Sequence, residues 1–65
     1  MKFIQLSSFK NNAVVYVNIE QIGFIYDTEQ YTKVSITSHN NGGLEVNQCA
    51  DEIIDLINEA IQNNH

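Results

Sequence analysis

The sequence predicts an α+β fold: a small antiparallel β-sheet of four to five short strands, followed by one C-terminal amphipathic helix. Three observations carry this expectation. Apolar and polar residues alternate, with asparagine and glycine interruptions, through most of the chain up to Val46. From Cys49 onward the apolar period changes from two to about 3.6. The chain has only 65 residues, 43% of them apolar. A chain of this size buries only about 60% of the surface its unfolded form exposes, so residues 1–65 are expected to form one domain, with sheet over 3–46 and helix over about 49–62.

The first strand is expected between Phe3 and Lys10, where Phe3, Gln5, Ser7 and Phe9 alternate with Ile4, Leu6, Ser8 and Lys10. Either set could face the core. Asn11 and Asn12 tolerate the positive φ of a two-residue hairpin turn, and the β-branched run from Ala13 to Val17 returns as the second strand. Asn18 to Ile22 breaks the alternation and reads as one helical turn at a corner. Asn18 would cap it, and Gln21 would reach back in capping-box fashion. Gly23 to Asp27 is the next strand, Thr28-Glu29-Gln30 a polar turn, and Tyr31 to Ser38 a strand with Thr32, Val34, Ile36 and Ser38 on one face. The segment His39-Asn40-Asn41-Gly42-Gly43 is the strongest turn signal, because asparagine and glycine adopt left-handed conformations at low cost. A short strand, Leu44-Glu45-Val46, follows it.

The final segment places Ala50, Ile53, Ile54, Leu56, Ile57, Ala60 and Ile61 on one helical face and Asp51, Glu52, Asp55, Asn58 and Glu59 on the other. A helix of about four turns is stable only when its apolar face covers something, and the sheet is the available partner. One helix shields one face of one sheet. The opposite face, carrying Phe3, Phe9, Tyr16 and Phe24, is then expected to be exposed or closed by a second copy, so a homo-oligomer, a dimer or larger, is expected.

Charge is unevenly distributed. The net charge is −5, yet residues 1–48 hold three lysines against Glu20, Asp27, Glu29 and Glu45, so most of the excess belongs to Asp51, Glu52, Asp55 and Glu59 in the helix. Asp51, Asp55 and Glu59 form an i, i+4, i+8 row of like charge, and each neighbouring pair costs a few tenths of a kcal/mol. A solvated helix face is the first reading. A docking face for a basic protein partner is the sharper alternative, and an acidic inhibitor of a nucleic-acid-binding protein is a third. Direct binding to nucleic acid is disfavoured, because three scattered lysines and no arginine offer little phosphate neutralisation.

Nothing in the sequence argues for an enzyme. His39 lies in the asparagine-glycine turn and His65 at the last position, each without an acid or nucleophile at a spacing that implies a constellation. Cys49 is the only cysteine, which excludes an internal disulfide and a zinc-finger pattern, and it is read as structural. Gly42-Gly43 joins strand to strand without the following lysine and helix of a phosphate-binding loop. No cofactor or metal is expected. The opening residues do not form a signal peptide, because Gln5, Ser7 and Ser8 break the apolar stretch, and apolar runs stay far below the ~20 residues of a membrane span. A cytoplasmic protein is therefore expected. Nine isoleucines and nine asparagines, with lysine in place of arginine, fit the AT-rich codons of a low-GC bacterium or its phage.

The order of these features resembles the FlbD-like small bacterial proteins, known as flagella-associated factors or as uncharacterised short proteins. The likeness rests on Ile4 and Leu6, the asparagine turn, Val17-Asn18, Ile22, then Thr32, Val34 and Ile36, and finally Gly43-Leu44-Glu45-Val46 and Glu52-Ile53. It covers nearly the whole chain. Two departures stand out: Gln30-Tyr31 replaces the family's Pro-Asp, and Gln48-Cys49 replaces its Glu-Ser or Glu-Thr. Cys49 with Glu52 keeps only half of a capping box, which leaves Asn47 as the expected cap. The resemblance implies a compact β-rich module with a C-terminal helix and without catalytic residues. A weaker likeness to the β-rich DNA-binding domains of LytTR regulators makes Lys10, Asn11, Asn12, Lys33, His39 and Asn40 the candidates for nucleic-acid contact.

Overall fold

The structure, a computed structural model, describes residues 2–37 and 43–62. Five short strands and one helix follow in the expected order: β1 (Phe3–Ser7), β2 (Val14–Asn18), a single 3-10 turn (Ile19–Gln21), β3 (Ile22–Asp27), β4 (Thr32–Ile36), β5 (Leu44–Val46) and α1 (Ala50–Gln62). The arrangement is α+β with antiparallel pairing throughout. The strands form two sheets, however, and not the single sheet that alternation suggests: β1 pairs with β2, and β3, β4 and β5 pair in that order. Two features separate them. The 3-10 turn between β2 and β3 redirects the chain at the corner, and β1 meets β5 only through an isolated bridge between Ser8 and Val46.

That bridge is reinforced at its ends. The Phe9 amide donates to the Glu45 carbonyl and the Asn47 amide to the Ser7 carbonyl, both at 2.9 Å. The Gln48 side chain closes the joint, accepting from the Ser7 amide at 2.9 Å and donating to the Ser7 hydroxyl at 3.1 Å. The first strand accordingly stops at Ser7, short of the expected Lys10, because the chain turns over Ser8 to Ala13. In this turn the Asn12 amide donates to the Ser8 carbonyl at 2.8 Å and Asn12 takes a positive φ of 57°. The asparagines do turn the chain, in a loop longer than two residues.

The alternation of β1 resolves once the second sheet is in place. Ile4 and Leu6 face inward opposite Val17 and Val15, and Phe3, Gln5 and Ser7 face outward opposite Asn18, Tyr16 and Val14. In β3 a bulge sets Ile22 against Ile36 and Ile25 against Val34, so three residues advance where the partner advances two. The extra residue turns Ile22 and Ile25 to the same side, which simple alternation would forbid. The strand expected from Tyr31 to Ser38 is shorter, Thr32–Ile36, and it buries Thr32 and Val34. Ser38 and the turn residues 39–42 lie outside the described residues.

The core gathers one face of each sheet and one side chain of the helix: Ile4, Leu6, Val17, Val34, Val46 and Ile53. α1 packs mainly against β1 and β3, so it bridges the two sheets and does not lie over the face of one. Its apolar stripe is narrower than seven positions, because Ile54 and Ile61 remain about half exposed.

Two local expectations are corrected. Asn18 caps the 3-10 turn as expected, accepting from the Glu20 amide at 3.0 Å, but Gln21 does not reach back. Its side-chain oxygen accepts from the Thr37 hydroxyl at 2.9 Å instead. Asn47 does not cap the helix either: its side-chain amide nitrogen donates to the Ser7 hydroxyl, the Ser8 carbonyl and the Asn12 side-chain oxygen. The helix runs from Ala50 to Gln62, as expected for about 49–62, and the Cys49 carbonyl accepts from the Ile53 amide at 3.0 Å. Its first amide donates to the carboxylate of Asp27, at 2.9 Å, from the end of β3.

Candidate interaction surface

The outward faces of the strands are where the aromatic residues collect. Phe3 and Tyr16 stand on the outer face of the β1–β2 ribbon, 50% and 66% exposed, with Tyr16 opposite Gln5 and Val14 opposite Ser7 on the same face. Phe24 and Tyr26 stack on β3 with ring centroids 5.8 Å apart, and Tyr26 sits opposite Lys33. Phe9 leans on Tyr31, with centroids 5.1 Å apart and the rings tilted by 45°. Phe3, Phe9, Tyr16 and Phe24 are all exposed. They do not share one sheet face, because the strands divide into two sheets; Phe3 and Tyr16 belong to one and Phe24 to the other. None of the chain's six aromatic side chains lies in the core. That is unusual, because aromatics normally contribute the largest buried areas in a small domain.

The outer surface of the three-stranded sheet also carries charge. Lys33 and Glu45 sit opposite each other on β4 and β5, and their charged groups approach to 3.6 Å. Such a surface pair contributes at most about 1 kcal/mol. Beside it, Ser8, Lys10, Lys33, Gly43, Leu44 and Glu45 line an open groove of about 330 Å³ along the joint between β1 and β5. The groove is open and mixed in charge, with Lys10 and Lys33 beside Glu45.

On α1, Asp51, Glu52, Asp55 and Glu59 are all exposed, and the last turn has no basic residue to pair with them. The thiol of Cys49 is free and exposed just before the helix. Of the nucleic-acid candidates, Lys33 is engaged with Glu45. Asn11 accepts from the Ala13 amide, and Asn12 accepts from Asn47. His39, Asn40 and His65 lie outside the described residues. Among the described candidates, Lys10 and Lys33 line the same groove together with Glu45, and the two asparagines Asn11 and Asn12 serve the turn itself.

One functional group escapes sequence reading. Asp27 accepts from the Thr32 hydroxyl at 2.8 Å as well as from the Ala50 amide, so a single carboxylate ties β3, β4 and the helix start together. Its negative charge lies at the positive end of the helix, where it is favourable. An acid 23 residues before a helix carries no local capping signal. The nearest hint was the deficient cap at Cys49, which called for an acceptor from elsewhere.

Among the described residues no group of three or more His, Cys, Asp or Glu side chains is placed to hold a metal ion, and no helix is long and apolar enough to cross a membrane. Compared with known protein families, curated proteins and solved structures, the chain matches none.

Proposed function

We propose that this protein is a small non-enzymatic interaction or regulatory module that acts as a homo-oligomer in the bacterial cytoplasm. The carrying observation is the imbalance of its large apolar side chains: among the described residues eight are exposed (Phe3, Phe9, Val14, Tyr16, Phe24, Tyr26, Ile54 and Ile61), against six apolar residues in the core. Exposed apolar groups in such number on so small a surface mark a contact site, and a second copy is the partner always present at equal concentration. The likeness to FlbD-like proteins supports the same reading, since it implies a β-rich module without catalytic residues. Light scattering coupled to size exclusion at micromolar concentration tests it. A mass of at least twice the 7.4 kDa chain is expected, and a clean monomer counts against the proposal.

The acidic face of α1 supports a second, separate contact with a basic protein surface. All four acids point to solvent without basic neighbours on the helix. Binding to a polylysine probe should weaken as salt rises, and it should be lost when Asp51, Glu52, Asp55 and Glu59 are replaced by their amides.

A further inference from the structure

The two sheets leave two outer strands, β2 and β3, and these differ in a way that bears on how a second copy would attach. β3 is interrupted by its bulge between Ile22 and Ile25, contains Gly23 and ends on Asp27. Bulges, short regular runs and charges are the usual devices that keep an edge from pairing. β2, Val14-Val15-Tyr16-Val17-Asn18, has none of them: its register with β1 is unbroken over five pairs, and it contains no charge and no proline.

The hydrogen bonds at the two ends of the ribbon determine which backbone groups of β2 face outward. The Ile19 amide donates to the Lys2 carbonyl at 3.0 Å, and the Ser8 amide to the Ala13 carbonyl at 2.9 Å. With Ile4 opposite Val17 and Leu6 opposite Val15, the alternation of an antiparallel ladder directs the amides and carbonyls of Val15 and Val17 toward β1. Those of Val14, Tyr16 and Asn18 point away from it, along an edge where the Val14 and Tyr16 side chains are 55% and 66% exposed.

We propose that this edge is the seam of a two-fold dimer, in which β2 pairs antiparallel with β2 of a second copy and Tyr16 faces Tyr16. The proposal rests on the self-association reading and adds the surface and register to it. Val14, Tyr16 and Asn18 are evenly spaced about Tyr16, so the two-fold pairing sets Tyr16 against Tyr16 and Val14 against Asn18 at both ends. All outward amides and carbonyls of the three residues are then paired, and the two ribbons merge into one four-stranded sheet. The charges flanking the strand favour a second copy in this orientation. Lys10 lies in the turn before β2 and Glu20 in the turn after it, and both are exposed. Antiparallel pairing brings Lys10 of each copy toward Glu20 of the other, whereas parallel pairing would set like charges together. The outward side chains of the seam, Tyr16 and Val14 with Phe3 beside them, form the cross-strand aromatic and β-branched neighbours that stabilise sheets.

The test uses the full chain and exploits the two-fold position. Tyr16→Lys and Tyr16→Glu each place like charges opposite one another across the seam, so each variant alone should fall to the 7.4 kDa monomer mass at a concentration where the parent chain is a dimer. Mixed in equal amounts they should return to the dimer mass, because Lys then faces Glu. Amide hydrogen exchange on the unmodified chain gives an independent readout that needs no variant: the Val14, Tyr16 and Asn18 amides should gain protection as concentration carries the protein from monomer to dimer. If the parent chain is a dimer and both variants remain dimers, or if those three amides exchange freely in the dimer, the seam is overturned while self-association stands. If the parent chain is a monomer throughout, both fall.

Discussion

At Gly43 the backbone φ is +97°, and a Cβ built there would overlap the Val34 carbonyl oxygen. The residue lies just before β5, against the backbone of Val34 and Ser35 in β4, so only glycine fits. Gly43→Ala should destabilise the protein by at least about 1–3 kcal/mol, the ordinary cost of a side chain forced into such a conformation, as read by urea unfolding. Gly23→Ala is the matched control. Its φ is ordinary and its Cβ would lie 3.1 Å from the Ser35 hydroxyl, a group that can rotate away, so little change is expected. The double-glycine signal was read as a turn, but that Gly43 must be glycine depends on how closely the Val34 carbonyl approaches it. Asp27 was less legible still. Asp27→Ala removes the acceptor of the Ala50 amide and strands the hydroxyl of Thr32, which is 2% exposed. Thermal or urea unfolding should show a loss of about 1–3 kcal/mol, and Asp27→Asn, which keeps a side-chain oxygen, should lose less.

The element most readable from sequence was α1, since seven apolar positions at helical spacing against five polar ones leave little choice of period. Its start and its neighbours were not readable. A capping signal is local only when the cap belongs to the helix, and here Asp27 arrives through β3. The like-charge row gives an element-scale expectation. Asp55→Lys converts two repulsive i, i+4 relations with Asp51 and Glu59 into attractive ones, on a side of the helix that touches solvent. Stability should rise by about 1 kcal/mol at low ionic strength, and the gain should shrink when unfolding is repeated in high salt. Among the strands, the positions of all five were visible as alternating runs bounded by asparagine, glycine and threonine. The bulge in β3 was not, because Ile22 and Ile25 at odd spacing fit neither face of a regular strand. Only their partners Ile36 and Val34 reveal that both point inward.

For the molecule as a whole, the proposed self-association would make stability depend on concentration. Because assembly draws on the folded state alone, the melting temperature of the parent chain should rise with protein concentration, and that of Tyr16→Lys should not; calorimetric or circular-dichroism melts over a hundredfold range would show it. The sequence by itself determined the fold class, the order of the strands, the C-terminal helix and the concentration of negative charge on that helix, because each is written in local periodicity or composition. Tertiary structure decided that the strands form two sheets joined through Ser8 and Val46, that Asp27 supplies the start of the helix, and that every aromatic side chain stays outside the core. These outcomes depend on which distant backbones meet and in what register. Alternation specifies two faces for a strand but not its neighbours, and in so small a chain a single corner turn is enough to choose between one covered sheet and two.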